Sequence, residues 1–310
     1  MALWDTIPYS LRQLQYLVAV AELGGFRRAA NACGVSQPSL SAQVAQLEGA
    51  IGVQVFERGP RGVRVTAAGA LIVERARQLF RAARDLDDTA RQQRDPFKGT
   101  LRLGVIPTVC PYLLPEVADP LRARLPNLRL IWSEEKTAPL VDQIDGGRLD
   151  GAIVALDDRM AHLEHAPLGN DPFVLAAAPG HALMKHHGPA SAELLDGATV
   201  FLLDDGHCFR AQALAFCGAK GAHAADLNAT GLSTLVQMVG GGTGVTLLPR
   251  LALAVENRRG QLAVRQFKSP APMRKIVMVW RKGTAMKQPL DAIASAIRKA
   301  WPKSGDRVRG

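Results

Sequence analysis

The chain reads as an α/β protein: an N-terminal winged helix-turn-helix, a long linker helix, and a C-terminal region in which strands and helices alternate. Three observations predict this. Two capped helical segments meet through a glycine turn in the first fifty residues, a proline-free heptad run follows from residue 66 to about 94, and short apolar runs bounded by turn residues recur over the last two hundred.

A length of 310 residues favours two domains, or one large domain with a small one. A 47% hydrophobic content suffices for a real core. No apolar run reaches the roughly eighteen residues of a spanning helix. Met1-Ala2-Leu3-Trp4-Asp5 lacks the basic segment and apolar stretch of a secretory signal. The expectation is a cytoplasmic protein without membrane contact, where a disulfide is more often a switch than a staple. The net charge of +10 and a pI near 9.8 favour an acidic partner such as nucleic acid. The charge locates no face, because residues 1–98 hold 13 basic and 9 acidic side chains and the excess continues beyond them.

Ser10-Leu11-Arg12-Gln13 is a capping box. Leu11, Leu14, Leu17, Val18 and Ala21 follow at helical spacing until Gly24-Gly25. A second helix runs from about Phe26 to Cys33 and ends at Gly34. Ser36 caps a third, with Pro38 in its first turn. Leu40, Val44 and Leu47 give the third helix an apolar face, opposite Pro38, Ser39, Ala42, Ala45 and Gln46. Small and amide side chains with few charges suit a helix that enters the major groove. Residues 53–56 and 63–66 are expected to form a hairpin wing that carries Arg58, Arg61 and Arg64 to phosphates.

In the linker, Ile72, Ala76, Leu79, Ala83, Leu86 and Ala90 alternate steps of four and three, a seam for a second helix. Roughly 28 residues at about 1.5 Å each make a rod of roughly 40 Å. The bland alternative is an amphipathic helix packed on its own domain. Asp95-Pro96-Phe97-Lys98-Gly99 ends it. Strands are expected at 101–106, 128–132, 151–154, 173–177, 199–203, 245–248 and 275–280, in parallel sheets. Domain limits are placed at 9–66, 67–95 and 98–310.

Other constellations carry less. Gly240-Gly241-Gly242-Thr243-Gly244 follows a helix and precedes a strand, the reverse of a dinucleotide fingerprint. His181, His186 and His187 lack partners at metal-ligand spacing, so no metal and no cofactor is expected. No hydrolytic constellation stands out, so the chain is expected not to be an enzyme. Asp205-Gly206-His207-Cys208-Phe209-Arg210, with Cys217 nine residues after Cys208, is different. Cations and a helix N-terminus beside a thiol favour the nucleophilic thiolate. The competing structural reading is a pair of inert core thiols. Cys33 reads as a small buried hydrophobe of the helix-turn-helix.

Several words in order resemble the N-terminal signature of LysR-type transcriptional regulators: Phe26-Arg27-Arg28-Ala29-Ala30, Val35-Ser36-Gln37-Pro38-Ser39-Leu40-Ser41, Gln46-Leu47-Glu48, Gly52-Val53, Phe56-Glu57-Arg58 and Thr66-Ala67-Ala68-Gly69. The resemblance implies a dimerising linker and double-stranded promoter DNA as partner. It implies DNA contacts by Arg28, Gln37, Pro38, Ser39, Ser41, Gln46, Arg58, Arg61 and Arg64. It also implies a C-terminal domain like the two-lobed periplasmic binding proteins, to which Leu149-Asp150-Gly151-Ala152-Ile153 and Gly242-Thr243-Gly244-Val245-Thr246-Leu247-Leu248-Pro249 belong.

Ile106-Pro107-Thr108-Val109, Pro111-Tyr112-Leu113-Leu114-Pro115, the Cys208 segment and the run to Cys217 resemble the peroxide-sensing OxyR branch of that family. This implies oxidation of Cys208 by hydrogen peroxide to a sulfenic acid and a reversible Cys208–Cys217 disulfide. Thr108 and Thr137 would hold the peroxide oxygens, while His207, Arg210 and Arg274 would be cationic neighbours of the thiolate. Further partners implied are a homo-oligomer (a dimer of dimers, hence a tetramer), RNA polymerase and a disulfide reductant. The pattern departs at Ala211, usually acidic, at Asp226, a histidine in some members, and at Cys110, usually small and without sulfur. A regulator opened by a small effector in the interlobe cleft, and a thiol peroxidase, are the competing functions.

Overall fold

The computed structural model describes residues 7–59, 62–92, 95–185, 188–218, 223–242 and 244–302. Arg61, His186, His187 and Thr243 lie outside these residues, as do the first six and the last eight. The chain forms two compact units, Met1–Asp87 and Asp88–Gly310.

The first unit begins with α1 (Leu11–Leu23), α2 (Phe26–Cys33) and α3 (Gln37–Ile51). The capping box closes as the spacing predicts: Ser10 N–H donates to Gln13 Oε1 at 2.8 Å, and Gln13 N–H donates to Ser10 Oγ at 3.2 Å. Gly34 ends α2 at φ +66°, a conformation that costs a side chain but not glycine. Ser36 Oγ then accepts from Ser39 N–H and starts α3. Leu14, Leu17 and Val20 meet Ala29, Ala30, Leu40, Val44 and Leu47 in one buried cluster, which Val55, Phe56, Val73 and Ala76 close.

The wing is offset from its expected position. Strand β1 is Phe56–Gly59 and β2 is Gly62–Val65, paired antiparallel, so β1 starts three residues after residue 53. The Glu48 carboxylate accepts from the N–H groups of Val55 and Phe56 at 2.7 and 3.0 Å. Those bonds hold residues 53–55 against α3 and delay the ladder. Helix α4 (Ala67–Gln92) follows. Ala76 of its seam is buried, whereas Leu79 and Leu86 are 47% and 71% exposed.

The second unit contains β3 (Gly99–Val105), α5 (Cys110–Arg124), β4 (Leu128–Glu134), α6 (Thr137–Asp145), β5 (Gly151–Ala155), β6 (Glu164–Ala177), β7 (Thr199–Leu203), α7 (Cys208–Gly218), β8 (His223–Ala229), α8 (Leu232–Gly240), β9 (Val245–Pro249), α9 (Leu253–Glu256), β10 (Ala263–Gln266), β11 (Met273–Trp280) and α10 (Lys287–Ala300). The strand order is β4-β3-β5-β11-β6-β9-β7-β8, with β10 beside β6. Strand β6 belongs to both halves of this order. Its residues 164–172 pair with β11, and its residues 173–177 pair with β9. Two buried clusters result, one around β3, β5 and β11 with α5 and α10, the other around β7 and β9 with α8. These are the two lobes, joined by a shared strand.

Three expectations are corrected. The sheet is mixed: β3, β4 and β5 run parallel, as do β7, β8 and β9, but β6, β10 and β11 are antiparallel to their neighbours. The strand expected at 173–177 is only the second half of β6. Its first half carries Pro167, Gly169 and Pro172, which read as turn residues and are absorbed at a bulge opposite Ile276 and Val277. Strands β8 and β10 were not foreseen. The outermost strand, β8, reads His-Ala-Ala-Asp-Leu-Asn-Ala, without apolar alternation.

Candidate functional site

The DNA-reading candidates lie on the first unit. Gln37, Pro38 and Ser39 are exposed on the first turn of α3, and Ser41 is half-buried. Gln46 is also exposed, but its Oε1 accepts from Gln13 Nε2 at 3.1 Å, which ties it to α1. Arg28 is exposed and donates to the carbonyl of Gly24 at 3.1 Å. Arg58 and Arg64 fall on opposite strands of the wing, Arg64 exposed and opposite Glu57.

The thiol site lies in the second unit. Helix α7 starts at Cys208 and continues through position 217, so both cysteines of the segment belong to one helix. Cys208 is a free thiol, 5% exposed, and packs into the core cluster of the first lobe, although α7 belongs to the second. Its neighbour Phe209 belongs to the second lobe's cluster and meets Phe173 edge to face at 5.4 Å. The sulfur therefore sits where the lobes meet, at the positive end of a helix dipole.

The expected site residues divide by what they bond. Arg274 is 1% exposed and organises one side. Its Nη1 donates to Thr108 Oγ1 at 2.6 Å, its Nη2 to the Thr108 carbonyl at 2.8 Å, and its Nε to Asp171 Oδ2 at 2.9 Å. Asp171, 2% exposed, also accepts from Leu251 N–H at 2.9 Å, so a buried ion pair fixes the Thr108 hydroxyl. Thr137 opens α6 and is 1% exposed, yet its Oγ1 is buried without a hydrogen-bond partner. A buried hydroxyl left unpaired is costly, and such an atom calls for a ligand or water.

Helix α6 and the loop before α7 are tied together by Lys136. Its Nζ donates to Asp204 Oδ2 at 3.0 Å and to the Asp205 carbonyl at 2.8 Å. Asp204 Oδ1 lies 3.0 Å from His207 Nε2. Arg210 pairs with Asp205 at 2.9 Å and donates to the Leu203 carbonyl at 2.9 Å. The two acidic residues before the thiol are thus each matched by a cation. Sequence reasoning missed Lys136 and Asp171, for neither stands in a local motif with its partner.

One charge state differs from expectation. Burial holds the pKa of His207 below the usual histidine value, with Lys136 pushing the same way and Asp204 opposing. His207 is therefore a neutral imidazole near pH 7, not a cation beside the sulfur. Arg210 is committed to Asp205 and the loop carbonyl. A cation the sequence did not single out, Arg159, bonds Asp157, and the proximity of Asp157 and Cys208 adds to the rise in its pKa. Cys110 opens α5, and its thiol is pushed up to about 12 by burial and by a hydrogen bond to Glu134. Of the other departures, Ala211 is exposed and Asp226 lies in β8. Cys33 is half-buried against the first unit's core. Among the described residues no cluster could hold a metal, and no helix is long and apolar enough to cross a membrane.

Residues 11–70 match the family model described as bacterial regulatory helix-turn-helix protein, lysR family, and residues 94–302 match the LysR substrate binding domain. The chain is 39% identical over 300 residues to the DNA-binding transcriptional dual regulator OxyR of Escherichia coli K12, covering 96% of this chain and 98% of that protein. It is 43% identical to a probable hydrogen peroxide-inducible genes activator of Streptomyces viridosporus, over 94% of each chain. A full-length OxyR variant from Pseudomonas aeruginosa superposes with a TM-score of 0.74 at 32% identity, covering 93% of this chain and 94% of that one. A hydrogen-peroxide-bound OxyR mutant of Corynebacterium glutamicum gives 0.63 at 31% identity, over 96% and 95%. The chain belongs to the LysR family of bacterial regulators, in its OxyR branch.

Proposed function

We propose that this chain is a DNA-binding transcriptional regulator that senses hydrogen peroxide through Cys208. The observation that carries the reading is the construction of the thiol site. A free, buried sulfur opens a helix, in a segment tied by Lys136 to the turn that presents the unpartnered Thr137 hydroxyl. The relatives whose names mention peroxide support the same reading.

The Cys208 thiolate attacks one peroxide oxygen, the S–O bond forms, the O–O bond breaks, and hydroxide leaves and takes a proton to become water. On this reading Thr137 Oγ–H and the Thr108 hydroxyl, which Arg274 holds, donate to the two oxygens. Cys217 then attacks the sulfenic sulfur, the S–S bond forms and a second water is released. Two thiols lose two electrons and peroxide gains them. A cellular dithiol reverses the disulfide. The protein is thus a switch reset by a reductant, not a catalyst that turns over.

Geometry supplies the transduction. Nine residue steps of continuous helix separate positions 208 and 217, which is roughly 13 Å along the axis and about half a turn out of phase. A disulfide needs Cα atoms within about 7 Å. The bond therefore requires α7 to unwind, a two-state change that an oligomer can read. The reading places Arg28, Gln37, Pro38, Ser39, Ser41, Gln46, Arg58, Arg61 and Arg64 on promoter DNA. It makes the exposed Leu79 and Leu86 of α4 part of a dimer seam in a dimer of dimers, within the limits 9–66, 67–95 and 98–310. It assigns the protein to the cytoplasm, with RNA polymerase as a further partner.

The test is mass spectrometry of peroxide-treated full-length protein with a promoter reporter alongside. The expected result is a 208–217 crosslink and a reporter response lost in Cys208→Ser. A full response in Cys208→Ser would shift the reading to a regulator triggered by an effector in the cleft.

A further inference from the structure

The loop that delivers Cys208 to its site has little packing of its own, because among residues 204–207 only His207 is buried. Lys136 holds it instead. The lysine stands between β4 and α6 in the first lobe, while the loop joins β7 to α7 in the second. Its two bonds, to the Asp204 carboxylate at 3.0 Å and the Asp205 carbonyl at 2.8 Å, span the lobes. Its stem lies against Gly206, where a Cβ would stand 3.1 Å from Lys136 Cδ and where φ is +90°. The backbone conformation there favours glycine, and a Cβ would press on the lysine stem.

We infer that Lys136 is a positioning residue that clamps the 204–207 loop in its dithiol arrangement and so sets the redox poise of the Cys208–Cys217 couple. The inference rests on the thiol-switch reading given above. Closing the gap between positions 208 and 217 means unwinding α7 from one end or both. The first turn is the end that runs directly into the clamped loop. Moving that turn pulls Asp204 and Asp205 away from a lysine anchored on the other lobe. A contact made in the dithiol form and lost in the disulfide form stabilises the dithiol and makes the couple more oxidising. Lys136 and Asp204 are 32% and 35% exposed, so solvent screens the pair and the effect is a few-fold, not hundreds.

The experiment equilibrates the full-length protein in buffers of reduced and oxidised glutathione, blocks free thiols, and quantifies the 208–217 crosslink by mass spectrometry. Wild type is compared with Lys136→Met, Lys136→Arg and Asp204→Asn. Lys136→Met should shift the thiol–disulfide equilibrium about fivefold toward the disulfide, about 20 mV more negative. Asp204→Asn, which weakens the same contact from the other lobe, should shift it the same way. Lys136→Arg should stay within twofold of wild type. Agreement between the lysine and aspartate variants keeps the test valid should either one fold poorly. A Lys136→Met protein that titrates with wild type overturns the clamp while leaving the switch intact, and so do equal shifts in the Met and Arg variants. A wild-type protein that forms no 208–217 crosslink overturns the switch, and the clamp with it.

Discussion

Two thiols of this chain stand at the first position of a helix, Cys110 on α5 and Cys208 on α7. A helix N-terminus is a setting that in general favours a thiolate. Their surroundings differ. Cys110 meets the Glu134 carboxylate, and burial together with that carboxylate pushes its pKa up to about 12. In the segment before Cys208 the acidic side chains are already matched, Asp204 by Lys136 and Asp205 by Arg210, and Thr137, next in sequence to Lys136, keeps a buried hydroxyl without a partner. A helix N-terminus is thus not enough to keep a thiol acidic, as Cys110 shows. On the reading proposed above, what separates the two is whether the nearest polar groups donate hydrogen bonds to the sulfur or accept one from its S–H, as Glu134 does at Cys110.

The largest effect expected from this contrast is at Thr137. Thr137→Val keeps the shape and removes the unpaired oxygen. Peroxide oxidation of Cys208, followed by dimedone trapping, should slow by about 100-fold, the usual size for loss of one oriented donor. Thermal stability should hold or rise, since an unsatisfied buried group is gone. An unchanged oxidation rate would remove Thr137 from the peroxide site. Next in size is Glu134→Gln, which should lower the Cys110 pKa and speed its alkylation at pH 8 several-fold. Burial, the larger cause, remains and keeps the thiol less acidic than a free cysteine. An unaltered alkylation rate would show that burial alone silences Cys110. Smaller still, Cys110→Ser should leave the reporter response within twofold of wild type, and a lost response would make Cys110 part of the switch.

The same contrast shows how much was legible in the sequence. Local signals were plain: the Ser10–Gln13 box and the Ser36 cap each lie within a few residues, and a short stretch of chain fixes their bonds, while the thiol segment could be picked out by its residues alone. The resemblance supplied Thr108, Thr137 and Arg274, and the fold places Thr108 and Arg274 2.6 Å apart across 166 residues. Nothing local announces Glu134 as the partner of Cys110, Asp171 as the partner of Arg274, or Lys136 as the tie on Asp204. Such pairs exist only after the sheet has formed. The wing shifted for the same reason, since the Glu48 side chain captured two backbone donors seven and eight residues away. Burial was the other hidden variable. His207 is a candidate cation in a sequence, and in the fold the protein covers it and holds its pKa down.

His207 gives the smallest effect and a sharp sign. Its folded pKa lies below the unfolded value of about 6.5, so the unfolded chain binds the extra proton first as pH falls. The contribution of the neutral imidazole is complete above about pH 6.5 and is lost as the pH drops from there through the folded pKa. Lys136 reinforces the direction by repelling the imidazolium, while Asp204 softens it. Replacing His207 with Gln removes the titration and keeps a polar group beside Asp204. Between pH 7 and pH 5 the melting temperature of the reduced wild type should therefore fall more steeply than that of His207→Gln, by a few degrees at most. Parallel curves would mean that solvent reaches the ring and that Asp204 holds its charge. The cation excluded on the strength of burial would then return to the neighbourhood of Cys208, and with it the simpler account in which an imidazolium distinguishes this thiol from Cys110.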